Sequence, residues 1–214
     1  MQYYAHISED KTRKQTVKDH LTGTARRSEL FAEAFRCGAW GYGCGVLHDI
    51  GKYSQGFRKR LEGGSITDHA TAGAQEMMRL YAGSNPLAAY CAAYCISGHH
   101  SGLLDGGRTG DTAGEATLQG RLKKQLEDYS PYKNEVEMPD FPGLPLRQIG
   151  KGGFGLSFLS GCCFHALWTE IIWIRNNSCW DRMREGETMI VWMSFSGVWK
   201  AMWNPGFPMM IWHL

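Results

Sequence analysis

His48 and Asp49 stand side by side in Val46-Leu47-His48-Asp49-Ile50-Gly51-Lys52, and they do not stand alone. His20 lies upstream in Val17-Lys18-Asp19-His20-Leu21. His69 lies downstream in Thr67-Asp68-His69-Ala70-Thr71-Ala72-Gly73-Ala74, and the pair His99-His100 follows in Ile96-Ser97-Gly98-His99-His100-Ser101-Gly102. Imidazole with carboxylate suits Mn, Fe, Co, Ni or Zn. A metal with open positions turns water into a nucleophile at neutral pH, so the chemistry within reach of these residues is hydrolysis. An aspartate next to a ligating histidine can offer one oxygen to each of two ions. A single histidine on an apolar helix is more often a satisfied core residue than a ligand, and His6, His165 and His213 are assigned to the core or the surface on that ground. The other five sit beside small residues, in Gly45-Val46-Leu47-His48, His69-Ala70 and Gly98-His99-His100, which let helices approach closely.

The elements that must hold these side chains read as helices. Residues 15–36 carry Leu21, Ala25, Leu30, Ala34 and Phe35 near the 3.6-residue period. A second helix is expected from about Tyr42, turning Val46, Leu47 and Ile50 inward. A third spans 67–82, with Thr67 or Asp68 near its start and Met77, Met78 and Leu80 in the core. Asn85-Pro86 punctuates the chain, and the Ala-, Tyr- and Cys-rich stretch 87–97 predicts a buried helix. The Gly- and Asp-rich segment 102–114 predicts a surface loop. A polar helix is expected over 115–128 and irregular chain over 129–153. With no alternating strand pattern before residue 155, the expected fold is an all-α helical bundle with the metal site between its helices.

The 214 residues suffice for one domain with a real core. A net charge of +2 writes in no global attraction for polyanions. The basic runs Arg58-Lys59-Arg60 and Arg121-Leu122-Lys123-Lys124 read first as solvated helix faces. Seven cysteines, with no C-x-x-C, suggest neither a disulfide framework nor a zinc knuckle and point to a reducing compartment. Met1-Gln2-Tyr3-Tyr4-Ala5-His6 has neither a basic start nor an apolar run, so no secretory leader is expected. No stretch of about 18 apolar residues occurs. A cytoplasmic protein without a membrane span is the expectation.

The series His20, His48-Asp49-Ile50-Gly51-Lys52, His69 and Gly98-His99-His100 resembles the HD superfamily. More narrowly, it is similar to the HD nuclease domain of the type I CRISPR nuclease-helicase, over about residues 3–158. The narrowing comes from the lysine three after the aspartate, the D-H-x-x-x-G-A segment and the G-H-H, with their spacings. The resemblance implies a helical, HD-type endonuclease that hydrolyses phosphodiesters of single-stranded DNA in antiviral defence. It implies two divalent ions (Mn, Ni, Co, Fe or Mg). His20, His48 and Asp49 match the ligands of one; Asp49, His69, His99 and His100 match those of the other. Lys52 matches the basic residue near the scissile phosphate, where it would offset charge on the phosphoryl oxygens. No G-x-x-x-x-G-K-[ST] loop is present, so a helicase and an RNA-guided surveillance complex would be partners in trans. The competing readings are an HD phosphohydrolase of small nucleotides and an inactive, truncated remnant.

Residues 159–214 change character. Seven of the eight tryptophans and six of the ten methionines fall there, without helical or strand period. A reading-frame shift near Phe158 or Leu159 accounts for this. Reading the codons of Leu159 to Thr169 from their third base gives a series compatible with Ile-Arg-Met-Leu-Phe-Ser-Cys-Leu-Val-Asp. The aspartate is forced, since TGG followed by AC spells GAC. Trp173-Ile174 forces a second aspartate. That text resembles the family's next helix, which carries a further metal-ligand aspartate. Residues 1–158 are therefore expected to be an incomplete HD domain, and 159–214 an out-of-frame tail.

Overall fold

Thr16 ends one element and starts the next. In the computed structural model, which describes residues 2–8, 10–34, 36–138, 140 and 160–167, strands β1 (Tyr4–Ile7) and β2 (Lys14–Thr16) pair antiparallel. The register slips between Tyr4 and His6. The Thr16 hydroxyl then accepts from the Asp19 amide at 3.0 Å and caps helix α1 (Val17–Glu33). The Val17 amide donates back to the Tyr3 carbonyl, so the hairpin is tied to the helix it precedes.

Helix α2 (Gly38–Leu47) lies along α1, and a 3-10 turn (Ile50–Tyr53) leads into the short α3 (Gln55–Leu61). Helix α4 (Ala70–Tyr81) packs on α5 (Pro86–Gly98), whose first turn holds Pro86, a residue with no amide hydrogen to lose there. One residue before the N-cap His69, the Asp68 carboxylate accepts from the Thr71 amide at 3.1 Å. Helix α6 (Leu118–Leu122) and a second 3-10 turn (Ser130–Asn134) close one side. Leu21, Ala25, Leu47, Ile50, Met77 and Ile96 meet in a shared core from α1, α2, the first 3-10 turn, α4 and α5. The expected all-α bundle is the observed fold, and its histidine–aspartate cluster lies between helices. No helix among the described residues is long and apolar enough to cross a membrane.

Leu80, expected in the core, is only partly buried and lies outside the core cluster, and four further details depart from expectation. The small sheet was not anticipated, because strands of four and three residues are too short to show alternation. Leu30 is not in the core but 67% exposed. The helix expected over 115–128 shrinks to Leu118–Leu122, and at its end the carbonyls of Arg121 and Lys124 accept from the Gln75 side chain at 3.0 and 2.8 Å. The run Arg121 to Lys124 is also no plain solvated face. Arg121 donates to the Ser97 carbonyl at 2.8 Å, Lys123 to the Thr109 carbonyl at 2.6 Å, and Lys124 pairs with Asp68 at 3.2 Å.

Residues 160–167 form a helix packed on this core, with Cys163 and Leu167 buried and the Cys95 thiol donating to the Ser160 carbonyl at 3.3 Å. The rest of the tail, with its tryptophans and His213, lies outside the described residues, as do Phe35 and most of 139–159. Six cysteines among the described residues are free thiols, as expected from their spacing.

Candidate metal centre

Each candidate ligand sits at the end of an element. His20 is on the first turns of α1. His48 is the residue that closes α2, and Asp49 follows it. His69 precedes α4, and His99 closes α5 with His100 next. Helix C-termini leave carbonyls without intrahelical donors, and two of the ligand rings use them. His48 Nδ1 lies 2.7 Å from the Gly45 carbonyl, and His99 Nδ1 lies 2.6 Å from the Ile96 carbonyl. His69 does the same with the Thr67 carbonyl at 3.1 Å. A carbonyl only accepts, so in all three rings Nδ1 carries the hydrogen and, in the neutral ring, Nε2 presents a lone pair.

Those lone pairs converge on Asp49. Its Oδ2 is 2.9 Å from His20 Nε2, 3.2 Å from His48 Nε2 and 2.9 Å from Lys52 Nζ. Its Oδ1 is 3.4 Å from His69 Nε2, 3.2 Å from His99 Nε2 and 3.8 Å from His100 Nε2. Asp49 Oδ1 and His99 Nε2 are both buried and neither has a hydrogen-bond partner among the described residues. Two acceptors facing each other at that distance repel unless a cation lies between them. The separations also suit an ion: ligand atoms about 2.1 Å from a metal and at right angles stand about 3.0 Å apart. Two groups could each hold a metal ion, His20-His48-Asp49 and Asp49-His69-His99-His100, the ligand atoms of each lying within 4.8 Å of one another. They share Asp49. The residues present therefore fit a metal ion.

Burial sets the protonation states. Desolvation holds the His20 ring well below the usual histidine range, with the Lys52 charge adding to it. Desolvation likewise lowers His69, and pushes His100 down to about 3 with help from its neighbour His99. These rings are neutral at pH 7, as ligation requires. Burial opposes ionisation of Asp49, yet the Lys52 ammonium and the surrounding rings outweigh it and hold the carboxyl well below its ordinary range. His100 is the open edge of the cluster, its side chain 48% exposed against 8% or less for His20, His48, Asp49, His69 and His99.

Close approach of the elements depends on missing side chains. A Cβ on Gly45 would lie 2.5 Å from Ala25 Cα, so only glycine lets α2 press onto α1 and bring His48 to within 3.1 Å of His20. A Cβ on Gly51 would lie 2.3 Å from the His69 carbonyl oxygen, so the turn carrying Lys52 can meet the start of α4.

The structure brings His20, His48, Asp49, Lys52, His69, His99 and His100 into one cluster. It adds one residue assigned above to the core or surface. His6, on β1, places Nε2 3.2 Å from Lys52 Nζ, and its ring lies edge-on to His20 with centroids 5.0 Å apart. Its only signal in the sequence is its residue type, and its partner lies 46 positions away. Desolvation against these neighbours, then the Lys52 charge, lower His6 to about 4.

No protein-family model matches this chain, and no curated protein matches it.

Proposed function

We propose that this chain is a metal-dependent phosphodiesterase of the HD type that cuts single-stranded DNA, related to the nuclease domain of the type I CRISPR nuclease-helicase. The observation that carries the reading is the convergence of imidazole lone pairs on both oxygens of one buried carboxylate, with two of the facing acceptors lacking a hydrogen-bond partner among the described residues. His20, His48 and Asp49 would hold one divalent ion, and Asp49, His69, His99 and His100 a second. The donor set suits Mn, Ni, Co or Fe, with Mg less favoured by so many imidazoles. When bound, such ions supply Lewis acidity and a water acidic enough to attack phosphorus near neutral pH.

The chain's own residues do the rest. Asp49 ties the two halves of the site together. The backbone carbonyls of Gly45, Thr67 and Ile96 fix three rings so that Nε2 faces inward. Lys52, only 4% exposed, keeps a positive charge beside the site with which to meet the oxygens of a phosphodiester. His100 lies where the cluster opens to solvent, so substrate approaches from its side. A helicase and an RNA-guided surveillance complex acting in trans would deliver the strand.

The test is cleavage of single-stranded DNA under Mn or Ni by the parent, His48→Ala and Asp49→Asn, with phosphate release from nucleoside monophosphates measured in parallel. Metal-dependent cutting by the parent, lost in both variants together with bound metal, is the expected result. A parent no more active than the variants overturns the enzyme reading. Phosphate release without strand cleavage favours the small-nucleotide phosphohydrolase instead.

A further inference from the structure

Lys52 Nζ lies 2.9 Å from Asp49 Oδ2, the oxygen that also faces His20 and His48. An ion held by those three residues would contest that oxygen with the ammonium, and two cations do not share one carboxylate oxygen without cost. Loaded with metal, Lys52 must lean on something else. Two other groups touch it. Its Nζ sits 5.4 Å from the centre of the Phe57 ring, and His6 Nε2 is 3.2 Å away. An ammonium has donors only, so His6 Nε2 is the acceptor of that contact.

The placement of His6 is specific. The strand register slips between Tyr4 and His6, and such irregularities re-aim side chains. Ala5 beside it is buried while His6 is exposed. One side of its ring meets Lys52 and His20, and the residue still reaches solvent. It is outside both groups of metal-ligand atoms.

We propose that His6 is a positioning residue that holds the Lys52 ammonium beside Asp49, so that the pair forms a seat for a phosphate-type oxyanion once metal occupies Asp49. This rests on the metal-centre reading and adds to it the residue that orients the lysine. The seat takes the charged oxygens of a phosphoryl group and is indifferent to the base.

The experiment uses the full chain loaded with Mn. Inorganic phosphate is titrated and its binding read from the phosphorus NMR linewidth, which bound Mn broadens. Bound Mn is measured by elemental analysis, and melting temperature by calorimetry. The variants are His6→Ala, His6→Gln and Lys52→Ala. His6→Ala is expected to keep the parent's Mn content and weaken phosphate binding roughly tenfold, the size of one charge-assisted hydrogen bond. His6→Gln, which restores an acceptor, recovers most of it, and a double variant that adds His6→Ala to Lys52→Ala binds phosphate no more weakly than Lys52→Ala alone. Unchanged phosphate binding in His6→Ala overturns the proposal. So does loss of Mn in that variant, which would make His6 a ligand, and so does a parent that binds no Mn. A parent that binds Mn and phosphate as described but cuts no DNA overturns the nuclease reading and leaves the role of His6 standing.

Discussion

Asp49 and the rings around it can be read as a knot of ion pairs or as a cradle for metal, and protons distinguish the two. His20 and His69 are held below the usual histidine range, His100 at about 3 and His6 at about 4, in each case chiefly by desolvation. In the unfolded chain these rings titrate near 6.5. Below that pH the unfolded state takes up protons that the native state refuses, so stability falls as pH falls. Chelator-treated protein should therefore lose melting temperature steadily from about pH 6.5 downward, measured by thermal melts between pH 7 and 5. The metal-loaded protein starts from a higher melting temperature and falls more steeply, because protons also displace the metal. A flat profile contradicts the burial of neutral rings. Six of these side chains were legible from residue type together with sequence setting, since five histidines and one aspartate beside small residues form a pattern that a lone histidine does not. His6 was not, because a histidine on a short, exposed strand has no local mark.

The elements act as rulers. Both α2 and α5 end on a candidate-ligand histidine whose Nδ1–H satisfies a carbonyl of its own last turn, so helix termination and ring orientation are one event. The spacing of α2 from α1 depends on Gly45 against Ala25. Gly45→Ala should push α1 from α2, cost about 1–3 kcal/mol of stability, and weaken metal binding, checked by denaturant unfolding and by metal titration. Native stability with native metal affinity would contradict the close-approach argument. A second brace lies outside the site: the Glu76 carboxylate, 2% exposed, accepts from Tyr132, Tyr129 and Arg79, and Tyr53 donates to Glu135 at 2.8 Å. These contacts hold the 129–136 segment against α4 and the lysine-bearing turn. The long helices were legible from period and caps. The brace was not, since its tyrosine–glutamate pairs lie 53 to 82 residues apart and the intervening chain carries no regular pattern.

Across the whole molecule, the point of interest is where the tail begins. The frame-shift hypothesis places residues 160–167 in altered sequence, yet they form a helix whose Cys163 and Leu167 enter the core. Leu167→Ala should cost about 2–3 kcal/mol, the low end for a buried leucine, read as a shift in the denaturant midpoint. No shift would detach this segment from the fold. The first ligand group has three residues against four in the second, and the carboxylate that a restored frame would supply falls beyond residue 167. A frame-restored chain should therefore bind metal more tightly and cut faster than this one, measured side by side. By itself the sequence determined the helical class, because apolar period and helix punctuation are local properties of the chain. It also marked the histidines and the aspartate as a candidate metal-binding set, because so many imidazoles in small-residue settings are chemically distinctive. Only the tertiary structure decided that Asp49 faces rings on both sides, that Lys52 and His6 meet, and that residues 160–167 close the core. Those facts depend on contacts between residues tens of positions apart, whose distances no local pattern in the chain sets.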